Sequence, residues 1–455
     1  MSEKNGMKFP EMNSLFEKKI LSIVKPPILA KYFSSDTIFP DGMPVETLRE
    51  YQSESIREIA RLAYEKSPFY KAKMDQAGVH PDQIQGLDDL PKLPFLTKDE
   101  LRGKPWVLLT CDKADVSLVQ VSTGTTGEEE IYIMNTWEDY YLHELAPGYP
   151  KLFPVEKGDV CLNALPYEMS SAGLAFHKTF LEGCQATVIP AGKGGAYSTP
   201  EKTVKMMNDL RPNVVITTPS WAVTLAEAAT ERGFDLTSLS LKKMWLTGEG
   251  CSPAFRERVE KMWGTKANFY YGSLECGGIG IECDVQNGYH ILMGHAVVEI
   301  VDLETQKVLE PGEIGEIVVS LPHRYHSPIL RYRTKDIGYV ETDPCPCGCP
   351  LPRLFLRGRM VDQVVVQGIE FSPYYLEEAL MRMPEVGNWY HFVVRPDGSD
   401  VLKVRCELAD GVEPTEQLAD SLASRMEFSV GIPCVFEFVD QMPRPHGKTI
   451  RVVHE

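Results

Sequence analysis

Ser122-Thr123-Gly124-Thr125-Thr126-Gly127 places four hydroxyls and two glycines in a row with no bulky side chain among them. Glycine admits positive φ and close backbone approach. Successive amide N–H groups in such a loop form a nest for phosphate oxygens, and the hydroxyls add further donors. A Walker loop would need Gly-Lys-Ser/Thr and a helix after it. Here Glu128-Glu129-Glu130 follows, then Ile131-Tyr132-Ile133-Met134, which reads as a strand. The stretch is therefore a phosphate loop of another kind, set between two strands, or else a Ser/Thr-rich turn.

Three further stretches could serve a nucleotide. Thr247-Gly248-Glu249-Gly250 and Tyr271-Gly272-Ser273-Leu274-Glu275 each follow a strand-like run, and ligands of open α/β sheets collect at the carboxyl ends of strands. A glycine turn lets a flat ring lie on backbone, Tyr271 offers a face for stacking, and Glu275 supplies a hard oxygen for Mg²⁺. In Arg331-Tyr332-Arg333-Thr334-Lys335-Asp336, the Asp336 carboxylate can accept both hydroxyls of a ribose. A separate signal comes from Cys345-Pro346-Cys347-Gly348-Cys349, with Cys283 and His290 upstream. A Cys₃His set on loops suits tetrahedral Zn²⁺, although reduced thiols without metal share the same spacing.

The elements that must position these residues alternate. Strand patterns at 159–164, 186–190, 214–217, 243–246 and 266–271 are separated by helix patterns near 172–182, 200–209, 220–232 and 252–263. That alternation predicts a largely parallel, helix-covered sheet. Residues 44–77 read as helical up to Ser67-Pro68. From about 290 the pattern becomes antiparallel, with strands at 297–301 and 315–319. From about 358 a small α+β unit follows, with helices at 373–382 and 415–427. The fold class is α/β: a large N-terminal domain of layered sheets with a β subdomain (1–357), then a small, mobile α+β domain (358–455).

Composition sets the limits. A chain of 455 residues, 43% hydrophobic and 24% charged, needs more than one core. A formal charge of −17 disfavours nucleic acid and anionic membranes as partners. The apolar patch Ile20-Leu21-Ser22-Ile23-Val24 is broken by lysines and Pro26-Pro27, so it is neither a signal peptide nor a span. Eleven cysteines in such a chain suit a reducing, cytoplasmic setting.

The order Ser-Thr-Gly-Thr-Thr-Gly, Tyr-Gly-Ser-Leu-Glu, Tyr-Arg-Thr-Lys-Asp, Gly-Arg-Met-Val-Asp and Gly-Lys-Thr-Ile-Arg resembles the adenylate-forming superfamily. Within it the chain is most similar to the phenylacetate-CoA ligase family, to which Ser67-Pro68-Phe69-Tyr70 and the stretch from Leu90 to Lys98 are also similar. The resemblance implies an ATP-dependent ligase that joins an aryl or arylalkyl acid to CoA through an acyl-adenylate, releasing AMP and pyrophosphate. It implies that Ser122, Thr123, Gly124, Thr125, Thr126 and Gly127 hold the β/γ-phosphates, and that Gly248, Glu249, Gly250, Tyr271, Gly272 and Ser273 line the adenine. Asp336 and Arg359 would bind ribose, Glu275 would hold Mg²⁺, and Lys448 would be the lysine of adenylation on a domain that rotates near 360–362. Tyr167, Ala172 and Trp221 would wall the acid pocket. The family's Cys…His…Cys-x-Cys-Gly pattern favours Cys283, His290, Cys345 and Cys347 as ligands of a structural Zn²⁺, with Cys349 a spare thiol or alternative ligand. A homodimer is implied by the resemblance alone.

Two departures stand out: Glu128 replaces the family's lysine after Gly127, and Val361 replaces an aspartate, with Asp362 next. Two other readings remain: an adenylating enzyme serving a carrier-protein thiol or other acceptor, and a nucleotide-binding protein without turnover.

Overall fold

The computed structural model describes residues 27–32, 43–122, 129–142, 149, 151–169, 171–360, 363–395, 398–444 and 449–455. Five short runs form the parallel part of its main sheet: β3 (Val160–Ala164), β4 (Thr187–Pro190), β5 (Val214–Thr217), β6 (Lys243–Leu246) and β7 (Ala267–Ser273). They lie in the order β4-β3-β5-β6-β7. Side chains alternate across this sheet, as a period of two requires. Cys161, Val214, Ile216 and Trp245 face one core, while Leu162, Val215, Met244 and Leu246 face the other. Helices α1 (Val45–Lys66) and α2 (Ser171–Lys178) cover the first face; α3 (Pro200–Leu210), α4 (Pro219–Glu231) and α5 (Pro253–Trp263) cover the second. Helices α3, α4 and α5 start on the same signature. Thr199, Thr218 or Ser252 accepts a backbone N–H three residues on, and proline fills the first helical position.

Before the sheet, β1 (Val116–Val121) and β2 (Tyr132–Thr136) form an antiparallel pair. Beyond β7 the main sheet continues through β8 (Gly277–Glu282), β9 (Tyr289–Ile291), β10 (Val297–Val301), β11 (Gly315–Ser320), β12 (Tyr332–Glu341) and β13 (Arg353–Arg359). Its full order is β10-β11-β12-β13-β9-β8-β7-β6-β5-β3-β4. The antiparallel region expected from about 290 thus begins earlier and belongs to the same sheet. The C-terminal unit comprises the hairpin β14 (Val364–Val366) and β15 (Ile369–Phe371), α6 (Pro373–Met381), β16 (Val386–Val394), β17 (Leu402–Leu408), α7 (Glu416–Val430), β18 (Cys434–Phe438) and β19 (Val452–His454), with sheet order β18-β17-β16-β19. Arg357, Gly358 and Arg359 still belong to the large sheet, and the C-terminal unit takes its first strand at Val364. No helix among the described residues is long and apolar enough to cross a membrane.

Candidate functional site

Asp336 on β12 lies directly across from Arg359 on β13 in antiparallel register, so the two side chains are cross-strand neighbours. The guanidinium Nε donates to Asp336 Oδ1 at 2.7 Å. The Tyr271 hydroxyl donates to Asp336 Oδ2 at 2.6 Å, although β7 and β12 are separated by β8, β9 and β13 in the sheet. The sheet must therefore curl until strands that are not neighbours face each other. A second tie crosses the same gap: the Tyr332 hydroxyl donates to Glu275 Oε1 at 3.0 Å, with both residues buried. Burial, then the neighbouring carboxylate, pushes the ionisation of Tyr271 and of Tyr332 well above the ordinary phenol range. Both phenols remain donors that orient an acceptor carboxylate. The three residues that the sequence assigned to ribose and adenine thus meet at one point.

The Tyr271-Gly272-Ser273 stretch differs from expectation in form. It is the end of β7 itself, turning through a hairpin into β8 rather than into a helix. Gly272 makes this approach feasible, since a Cβ there would sit 2.2 Å from the Gly277 carbonyl oxygen.

The loop after β6 carries Gly248, Glu249 and Gly250. Glu249 turns its carboxylate into the protein, where Lys193 Nζ lies 2.6 Å from it and both side chains are almost wholly buried. Ser220 adds its Oγ–H at 2.9 Å and its backbone N–H at 3.3 Å. Burial would raise the carboxyl's pKa, but the charge and hydrogen bond of Lys193, with Ser220, outweigh it and hold the value below the usual range. The carboxylate therefore fixes the loop from inside the protein. Lys193 lies in Gly192-Lys193-Gly194-Gly195, where three glycines take positive φ and let the chain fold across the strand ends. That glycine cluster was the only sequence signal pointing to Lys193.

At the phosphate loop, Ser122 directly follows β1: its N–H donates to the Ile131 carbonyl at 2.9 Å and its Oγ accepts the Ile131 N–H at 3.0 Å. Thr123, Gly124, Thr125, Thr126, Gly127 and Glu128 lie outside the described residues. Glu129 lays its carboxylate on Gly103, where a Cβ would be 2.5 Å from Oε2.

The C-terminal unit docks beside the β6 loop. Glu377 and Glu378 of α6 accept the backbone N–H groups of Ser252 and Ala254 at the start of α5, the latter at 2.7 Å; carboxylates suit the positive end of a helix. Arg258 of α5 returns its guanidinium to the Met381, Met383 and Val386 carbonyls at 2.7 Å each. Glu227 of α4 accepts from Trp389 Nε1 at 2.7 Å and pairs with Arg444 at 3.0 Å. Lys448, Val361 and Asp362 lie outside the described residues. Arg451, three residues beyond Lys448 in sequence, is anchored over the Tyr390 and Phe255 rings at 4.5 and 5.0 Å, and its charge reaches Glu249.

Residues 45–325 match the AMP-binding enzyme family, and residues 368–455 match the AMP-binding enzyme C-terminal domain. The phenylacetate-coenzyme A ligase of Thermus thermophilus is 32% identical over 438 residues, covering 91% of this chain and 97% of that protein. The chain belongs to the phenylacetate-CoA ligase family. The Escherichia coli phenylacetate-coenzyme A ligase is 30% identical, with 90% and 95% covered. Among solved structures, 2-hydroxyisobutyryl-CoA ligase in its postadenylation state, in complex with 2-HIB-AMP, aligns with a TM-score of 0.84 at 21% identity, covering 91% of this chain and 90% of that one. The same protein in the thioesterification state gives 0.66.

The residues that the family resemblance assigned to the acid are placed apart. Tyr167 follows β3; its Oη accepts from Asn163 Nδ2 at 2.9 Å and lies 3.2 Å from His177 Nδ1. Burial, relieved in part by Asn163, pushes the phenol up to about 12. Ala172 packs on the first core near the start of α2, whereas Trp221 is buried in the core on the opposite face. In the core against which Ala172 packs, Phe176 meets Tyr270 edge-on at 4.9 Å and Phe153 stacks on Trp245 at 4.3 Å.

Cys283, His290, Cys345 and Cys347 offer ligand atoms that all lie within 4.8 Å of one another. Tetrahedral zinc, with bonds of about 2.3 Å to sulfur and about 2.0 Å to nitrogen, sets its ligands roughly 3.5–3.8 Å apart. Cys283 Sγ and Cys345 Sγ are 3.8 Å apart, and Cys347 Sγ and His290 Nε2 are 3.4 Å apart. His290 donates Nδ1–H to the Leu351 carbonyl at 3.2 Å, which leaves Nε2 facing the thiols. Cys349 stands outside the set and gives its backbone N–H to Cys347 Sγ at 3.3 Å.

Proposed function

We propose that the protein is an ATP-dependent carboxylate–CoA ligase that activates an aryl or arylalkyl acid as its acyl-adenylate and then transfers the acyl group to CoA. The reading is carried by the Tyr271–Asp336–Arg359 array, a pre-formed ribose acceptor in a chain of the AMP-binding enzyme family. In the first half-reaction a carboxylate oxygen of the acid attacks the α-phosphorus of ATP, and the bond to the bridging oxygen of pyrophosphate breaks. In the second, the CoA thiol loses its proton, sulfur attacks the acyl carbonyl, and AMP leaves with the acyl–oxygen electron pair.

The first step brings two anions together, so cationic positioning matters most there. Lys448 is assigned that role, as a point charge on a long stem. Asp336 and Arg359 orient the ribose, and the Gly248–Gly250 backbone, fixed by Glu249 and Lys193, faces the adenine. Ser122 and the loop that follows it would hold the phosphates. Glu275 fits Mg²⁺ by donor type, a buried carboxylate steadied by Tyr332. The ion, when bound, would neutralise charge on the triphosphate. The aromatic surface of Phe176 and Tyr270 beside Ala172, with Tyr167 nearby, suits a flat acid.

Cys283, His290, Cys345 and Cys347 are assigned a structural Zn²⁺. It would tie the β12–β13 loop to β9 and to the end of β8, the two strands that lie between β13 and β7 in the sheet. The C-terminal unit, from β14 onward, is assigned a rotation between the two half-reactions. Acid-dependent exchange of pyrophosphate into ATP tests the reading: exchange with aryl acids supports it, and its absence across a broad acid panel refutes it.

A further inference from the structure

We propose that Tyr374 is a nucleotide-positioning residue, lent by the C-terminal unit, that closes the Gly250 side of the site in the docked arrangement seen here. The inference rests on the nucleotide reading above and goes beyond it, since no motif assigned Tyr374 a role. A Cβ built on Gly250 would lie 2.0 Å from Tyr374 Oη, 2.3 Å from Cζ and 2.4 Å from Cε1. Gly250 has no left-handed φ, so space rather than backbone conformation demands glycine there. The phenol ring rests on the loop backbone that is meant to face adenine.

Burial pushes the Tyr374 phenol's ionisation up, with the charges of Arg359, Glu377 and Asp336 also acting on it. Tyr289 is within reach of Tyr374 electrostatically and packs on Tyr271 at 5.7 Å. The placement is specific to this tyrosine. Its neighbour Tyr375 is 52% exposed and gives its hydroxyl to the Ser429 carbonyl at 3.1 Å. Tyr374 is held in place because Glu377 and Glu378, one turn further along α6, cap α5. When α6 leaves, the phenol leaves with it. Tyr374 should therefore act on ATP and acyl-adenylate and not on the step that follows domain movement.

The test uses full-length protein with Tyr374→Ala, Tyr374→Phe and, as control, Tyr375→Ala. ATP affinity is measured at equilibrium, KM for ATP and for acid in pyrophosphate exchange, and thioester formation from supplied acyl-adenylate. Tyr374→Ala is expected to weaken ATP about tenfold, the scale of one lost aromatic contact, while KM for acid and thioester formation hold. Tyr374→Phe should keep most of the affinity, and Tyr375→Ala should match wild type. Unchanged ATP affinity in Tyr374→Ala would overturn the proposal. Equal losses for ATP, acid and thioester formation would also overturn it, by showing a docking role only. Wild-type protein that binds ATP without exchange would refute the ligase reading and still let the affinity ratio decide on Tyr374. Wild-type protein that binds no ATP would overturn both.

Discussion

Lys193→Met removes a buried charge while keeping the length of its stem, and the structure sets the consequence. Lys193 and Glu249 side chains are 2% and 8% exposed and 2.6 Å apart, so deleting the cation leaves a buried anion with Ser220 and the weaker influence of Arg451. Breaking such a pair from one side costs about 3–5 kcal/mol, against a total stability on the order of 5–15 kcal/mol for a typical domain. The variant should fold and melt earlier. The pH dependence supplies the sharper test. In the wild type Glu249 is held below its ordinary pKa, so its contribution is present above the unfolded carboxylate range and lost as pH falls through the lowered folded value. Without Lys193, burial dominates, the folded pKa moves above the unfolded one, and folding favours the protonated acid. The melting deficit of Lys193→Met should therefore shrink as pH is lowered from about 8 towards about 5, and adding Glu249→Gln should recover part of it. KM for ATP should rise, because the carboxylate that fixes Gly248–Gly250 has lost its anchor. Thermal melts across that pH range check all of this. A deficit independent of pH, or no recovery in the double variant, would refute the reasoning.

Metal analysis of chain purified without chelator should find about one zinc per chain, and His290→Ala should lose the metal and melt earlier. Full stability with no zinc would remove the site. Lys448→Ala should abolish pyrophosphate exchange while thioester formation from supplied acyl-adenylate largely survives. Equal loss in both half-reactions would show that Lys448 is not specific to adenylation.

Strands β4, β5 and β6 were legible as apolar runs followed by Thr-Pro or Ser-Pro helix starts, and Asp336 and Arg359 were named from their motifs before their shared register was visible. Strand β8 was not legible, because Gly277, Gly278 and Gly280 carry little strand signal. Gly278 and Gly280 admit close contacts of the hairpin with Tyr270 and Tyr289. The curl that brings Tyr271 to Asp336 has no local signature. Neither does the reach of Lys193 across 56 residues to Glu249. Phe176 and Tyr270 read as ordinary core residues, and Trp221, expected beside Tyr167 and Ala172 at the acid pocket, is packed on the opposite face. Tyr374 became visible only through the docking of α6, which depends on the Glu377 and Glu378 caps and on no pattern within α6 alone.

The central claim is tested most directly by following radiolabelled pyrophosphate into ATP against aryl, arylalkyl, aliphatic and amino acids, then adding CoA and quantifying AMP and thioester. The account predicts exchange that depends on an aryl or arylalkyl acid, followed by equal amounts of AMP and acyl-CoA once thiol is present. ATP binding without exchange for any acid, or ADP in place of AMP, would contradict it.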